Sequence, residues 1–162
     1  MKMMKRLLIL LTLTALAAGE AFAQKMVIGS RIPDFKGVQW LTVAPAGPGS
    51  GQTAPMLIEF YNPDNASSVR FFPKLADVKS RHGNGASGVQ IVVLVAQSGP
   101  AADKLRQDYG DRYYIGADPD GKVYQSFNVR FLPYTILVNS KGELYWQGNL
   151  GNLTDEVLRK VR

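Results

Sequence analysis

The 162-residue sequence contains no cysteine. That absence excludes disulfides, thiol nucleophiles, thiolate metal ligands and every form of thiol–disulfide exchange. Histidine occurs once, as His82, so a metal centre built on several imidazoles is excluded as well. Any nucleophile activated by histidine would have to use that one ring. The apolar run from Leu7 to Ala18 falls short of the roughly 20 residues that cross a bilayer. Runs of like charge are also missing: 19 Lys and Arg against 13 Asp and Glu give a net +6, and the basic residues are scattered. The chain lacks the basic stripe of a nucleic-acid binder. Asp118-Pro-Asp-Gly121 places its glycine too early for a calcium loop, which needs it at the sixth position. No metal and no cofactor is expected.

What is present begins with Lys2, Lys5 and Arg6, followed by the apolar run and by Ala21-Phe22-Ala23. Together these predict a secretory signal peptide over residues 1–23, cleaved after Ala23, with residues 24–162 forming a single exported domain. Cleavage removes three basic residues and Glu20, leaving the mature chain at +4. The expected location is the periplasm or the outside of a bacterial cell, with no stable membrane insertion after cleavage.

Residues 28–35 read as an extended lead-in, and Gly37–Ala44 as a short strand rich in β-branched and aromatic residues. The stretch 46–53 is too rich in Gly and Pro for a regular element. Met56–Tyr61 is apolar except for Glu59, the pattern of a strand covered on both faces. After Asn65–Ser68, Val69, Phe72, Leu75, Ala76 and Val78 recur near helical spacing, and Pro73 is expected to kink that helix without ending it. Gly88–Ala96 is a second buried strand. Pro100–Tyr109 reads as a helix closed by Gly110, Tyr113–Ile115 as a short strand, and Lys122–Phe127 as a short helix. Tyr134–Val138 and Glu143–Trp146 flank a Gly-ended turn and predict a hairpin. Leu153–Val161, capped by Asn152 or Thr154, closes the chain as a helix. The order predicts an α/β fold with a central mixed sheet flanked by helices on both faces.

With these elements placed, the chain resembles the thioredoxin superfamily, in its exported branch of TlpA and ResA type proteins and redoxins of the alkyl hydroperoxide reductase group. Gly29-Ser-Arg-Ile-Pro-Asp-Phe35 is similar to that branch's opening Gly-x-x-x-Pro-Asp-Phe. Leu57–Tyr61 resembles its strand before the active site, and Pro73 sits where its first long helix carries a proline. Val129-Arg-Phe-Leu-Pro-Tyr-Thr-Ile-Leu-Val138 is similar to its Val-x-x-x-Pro-Thr-x-Phe-Leu-Ile segment. The resemblance implies a thioredoxin-like fold with an N-terminal strand extension. It also lays the Cys-x-x-Cys motif of the family onto Asn65-Ala66-Ser67-Ser68, so that both redox positions are lost.

Several expectations follow. Asn65, Ser67 and Ser68 are expected to cap the helix. A Ser68–His82 pair is not expected, because an intervening helix holds the two ~20 Å apart. Glu59 falls where relatives carry a buried acid that moves protons for the thiol, and burial should raise its pKa. The resemblance implies a cis peptide before Pro133, where relatives use the backbone of the preceding residue, here Leu132, to pair with an extended partner peptide. The leading expectation is a redox-inactive protein, not an enzyme, that binds a protein or peptide partner of the cell envelope. Its groove would lie between Asn65–Ser68 and Leu132–Pro133, with Tyr61, Phe71 and Tyr134 as the apolar wall. Two alternatives stay open: an enzyme of changed chemistry using Glu59 or Ser68, and a structural subunit of an envelope assembly.

Overall fold

The computed structural model describes residues 26–46, 54–85 and 87–161. The predicted leader and all but the first residue of the 46–53 loop lie outside them. Six strands, β1 (Gln39–Trp40), β2 (Met56–Tyr61), β3 (Gln90–Val95), β4 (Tyr114–Ala117), β5 (Tyr134–Val138) and β6 (Leu144–Gly148), form one sheet in the order β1-β4-β3-β2-β5-β6. β2, β3 and β4 are parallel, while β1, β5 and β6 pair antiparallel with their neighbours. The helices are α1 (Ala66–Phe71), α2 (Pro73–His82), α3 (Pro100–Tyr109), α4 (Lys122–Ser126) and α5 (Asp155–Lys160).

Alternation along the central strands builds two apolar layers. Leu57, Ile91, Val93 and Ile115 face Phe72, Leu75, Val78, Leu105 and Leu158 of the helical layer. Met56, Ile58, Phe60, Val92 and Leu94 face the opposite side, where Val123 and Phe127 pack with Met26 and the lead-in residue Ile32. Both faces are therefore covered, which is why β2 and β3 read as nearly continuous apolar runs.

The structure redraws several expected boundaries. Instead of one kinked helix, α1 and α2 are separate, joined at Phe72 in the right-handed helical region with φ −55° and ψ −41°. Pro73 has no N–H to continue the ladder, and the path is bridged by Leu75 N–H donating to the Phe72 carbonyl. Val69 and Ala76, expected on the apolar face, are exposed; the buried stripe is Ser68, Phe72, Leu75 and Val78. The strand expected over 37–44 is only two residues long. Leu41 and Thr42 N–H both donate to the Ile115 carbonyl, and Ile115 N–H turns to the Thr42 hydroxyl at 2.9 Å, ending the ladder with a side chain.

β4 lies one residue later than expected and runs on through Gly116 and Ala117. Gly116 marks a close approach: a Cβ there would lie 2.3 Å from Val38 Cγ1 and 3.2 Å from Trp40 Cε3. The closing helix starts later, at Asp155 with Thr154 as its cap, after a 3₁₀ turn over Leu150–Asn152.

The lead-in does more than extend. Gly29 N–H donates to the Leu144 carbonyl, Leu144 N–H to the Ser30 carbonyl and Ile32 N–H to the Gly142 carbonyl, and Arg31 bridges Glu143. Phe35, Val38 and Trp40 then pack across the Phe60 face of the sheet until β1 joins β4. One segment thus occupies both outer edges of the sheet.

Candidate functional site

The parallel strands β2, β3 and β4 end level at Tyr61, Val95 and Ala117, and β5 starts opposite the end of β2, with Phe60 facing Tyr134. The turn 62–65, the loop 96–99, Asp118 and the Leu132–Pro133 segment therefore emerge on one rim, the end at which open α/β sheets bind ligands. Asn62-Pro-Asp-Asn65 is a β-turn: Asn65 N–H donates to the Asn62 carbonyl at 3.1 Å, and Asp64 N–H to Asn62 Oδ1 at 2.9 Å. The chain then enters α1 with Asn65 as cap, its Oδ1 accepting from Ser68 N–H at 3.0 Å.

Of the three residues expected to cap α1, Asn65 alone does so by this side-chain bond. Ser68 heads the buried stripe of the helix, is 1 % exposed, and its Oγ is buried without a hydrogen-bond partner. Ala66 is exposed and Ser67 half-buried. His82 is far from this chemistry, because its Nε2 meets Asp155 Oδ1 at 3.0 Å at the other end of α2.

Glu59 alternates onto the same face as Leu57 and Tyr61 and is 2 % exposed. Burial pushes its carboxyl up to about 8, against the partial restoring effect of Thr135, whose hydroxyl donates to Glu59 Oε2 at 2.5 Å. Burial in this apolar layer favours its protonated form. Asp118 is fully buried and accepts from Tyr124 N–H at 2.8 Å. The Tyr124 hydroxyl in turn reaches the carbonyls of Leu94 (2.7 Å) and Tyr61 (3.2 Å), tying together the ends of β3 and β2. Burial raises the Tyr124 phenol far above its ordinary value.

The Leu132–Pro133 peptide is cis. Pro133 is buried and Leu132 half-buried. The three aromatic residues expected to form one wall are not brought together. Phe60 faces Tyr134 across the β2–β5 pair, so Tyr134 shares the Phe60 side of the sheet while Tyr61 lies on the other. Tyr61 lines a cavity of about 370 Å³ with Val69, Phe72 and Tyr109, between α1 and α3. Phe71 lies against the 3₁₀ turn, where a Cβ on Gly151 would meet its ring at 2.8 Å. Tyr134 lines a cleft of about 600 Å³ with Arg130, Phe131 and Gln147. Sequence reasoning missed Arg130 and Phe131, although a cation and an aromatic residue just before the retained proline were visible there.

No cluster of His, Asp and Glu that could hold a metal occurs among the described residues, and no helix among them is long and apolar enough to cross a membrane.

No protein-family model and no curated protein matches this chain. Solved structures do. The thioredoxin domain of a thiol-disulfide oxidoreductase from Bacteroides vulgatus superposes with a TM-score of 0.65 at 16% identity, covering 85% of this chain and 100% of that one. A thioredoxin-like superfamily protein matches with a TM-score of 0.65 at 16% identity over 82% and 92% of the two chains. The MTB protein dsbF, in its mixed oxidized and reduced forms, matches at 0.54 with 23% identity over 69% and 81%. The six-stranded mixed sheet, its helical layers and these likenesses agree: the chain has the thioredoxin-like fold, carried by a sequence without a single cysteine.

Proposed function

We propose that this is a redox-inactive thioredoxin-like protein that binds an extended segment of a protein partner along the rim between Asn65–Ser68 and Leu132–Pro133. The observation that carries the reading is a juxtaposition. Pro133 and the turn 62–65 leave adjacent strands at the same end of the sheet, and neither of the two positions that would carry thiols has one. What remains is a capped helix start, a half-buried Leu132 backbone and an exposed aromatic residue, Phe131. Such a rim recognises a peptide without exchanging electrons with it. The predicted leader and the disulfide chemistry named for similar structures support a place in the periplasm.

An enzyme acting through Glu59 or Ser68 is the weaker reading, since both groups are buried and His82 is engaged by Asp155. The test replaces Phe131 by a photo-reactive amino acid in the exporting cell, with a second variant at Val43, which is exposed beyond β1 at the far edge of the sheet. A partner cross-linked at 131 and not at 43 is the expected result. Cross-linking at 43 alone overturns it and favours a structural subunit.

A further inference from the structure

Resting on that reading, we infer that the partner segment is acidic and carries an apolar anchor, and that Arg130 and Phe131 read it in the cleft beside Pro133. Among the described residues, the cleft of about 600 Å³ is lined by one charged residue, Arg130, and by no carboxylate. Among the described residues, the Arg130 guanidinium has a single hydrogen bond, from Nε to Asn128 Oδ1 at 3.1 Å, and no acidic partner. Its two terminal nitrogens are therefore presented to whatever enters, in a fork that matches a carboxylate.

The fork is held in place by the end of α4. Asn128 adopts φ +52°, the left-handed conformation that asparagine tolerates better than most residues. Asn128 N–H donates to the Gln125 carbonyl and Val129 N–H to the Tyr124 carbonyl, both at 2.9 Å. This is the Schellman arrangement, which closes a helix in one defined direction. Arg130 and Phe131 thus project from a segment fixed at one end by the helix stop and at the other by buried Pro133.

Phe131 supplies the apolar half of the recognition. It is 63% exposed, and its ring packs edge-on against Tyr134 at 5.5 Å and 74°. The Tyr134 hydroxyl donates to Gln147 Oε1 at 2.6 Å, and Gln147 Nε2 holds the Met26 carbonyl at 3.4 Å, so the cleft is braced by its own side chains. A large exposed aromatic residue beside an unpaired Arg is the composition of a binding hot spot. The chain's net positive charge further favours the approach of an acidic segment.

The test pans a displayed library of short random peptides in parallel on the wild-type protein and on Arg130→Glu, a change at an exposed side chain, with circular dichroism checking that the variant is folded. Wild-type protein should enrich Asp or Glu next to Phe, Tyr or Leu, and Arg130→Glu should exchange those acids for Lys or Arg. Phe131→Ala should weaken the selected peptide roughly tenfold, and added salt should weaken it further. Identical peptides on both proteins overturn the inference. Acid-free peptides that Ser67→Arg displaces overturn it too, and leave the broader rim reading standing. No enrichment on wild-type protein overturns both.

Discussion

At the scale of the residue, Glu59 is a carboxyl held inside an apolar layer. Its folded-state pKa of about 8 lies above the ordinary 4.5, so the folded protein holds a proton that the unfolded chain has already released. The stabilisation is complete below the unfolded value and declines as pH rises, until the folded group itself ionises near 8. Stability should therefore fall by a few kcal/mol between pH ~5 and ~8. Glu59→Gln keeps an acceptor for the Thr135 hydroxyl and removes the titration. Urea melts at pH ~9 are expected to find it more stable than the wild type, with a flatter pH profile. A wild-type protein that is equally stable at both ends of that range would show that Glu59 is not a strained buried acid. Ser68 belongs to the same apolar layer. The sequence offers it as a capping hydroxyl, but only helix phase decides its fate, and phase puts it inward with Phe72 and Leu75.

At the scale of the element, the start of α1 is a capped helical turn without thiols. Asn65 Oδ1 accepts from the Ser68 backbone N–H at 3.0 Å, so the two positions lie one helical turn apart, the i, i+3 spacing at which side chains are neighbours on a helix. The double substitution Asn65→Cys with Ser68→Cys should form a disulfide that resists alkylation until reduced. The thiol at position 65 should have a pKa below the usual ~8.5, as thiols at helix starts do. Mass spectrometry after alkylation, with and without reductant, checks both. Alkylation of the unreduced protein would mean that the scaffold no longer holds the pair. Elements with strong periodicity, β2, β3, α3 and the β5–β6 hairpin, are legible in the sequence because burial on both faces or a Gly-ended turn writes itself into composition. β1 and β4 are less legible. Their bounds depend on the Thr42 hydroxyl and on Val38 and Trp40 over Gly116, which are contacts between segments far apart in the chain.

At the scale of the molecule, the fold class and the loss of thiol chemistry follow from sequence, since both rest on residue order and residue types. The layout of the site does not. Tyr61 and Tyr134 look equivalent in a linear reading, yet strand register places them on opposite faces of the sheet. The Arg130–Phe131 cleft lies just past the helix stop at Asn128, which also lines it. The lead-in that holds both sheet edges also sets an order of events. Residues 29–32 leave the ribosome early, but their seats at Gly142–Leu144 are made near the end of the chain, and contacts of such long sequence separation close slowly. The segment made among the first should be among the last to settle. Pulsed hydrogen exchange during refolding is expected to protect Ile58 and Val93 before Gly29 and Ile32. A chain stalled in synthesis before β6 would expose the outer backbone of β5, a sticky edge that the finished protein never shows.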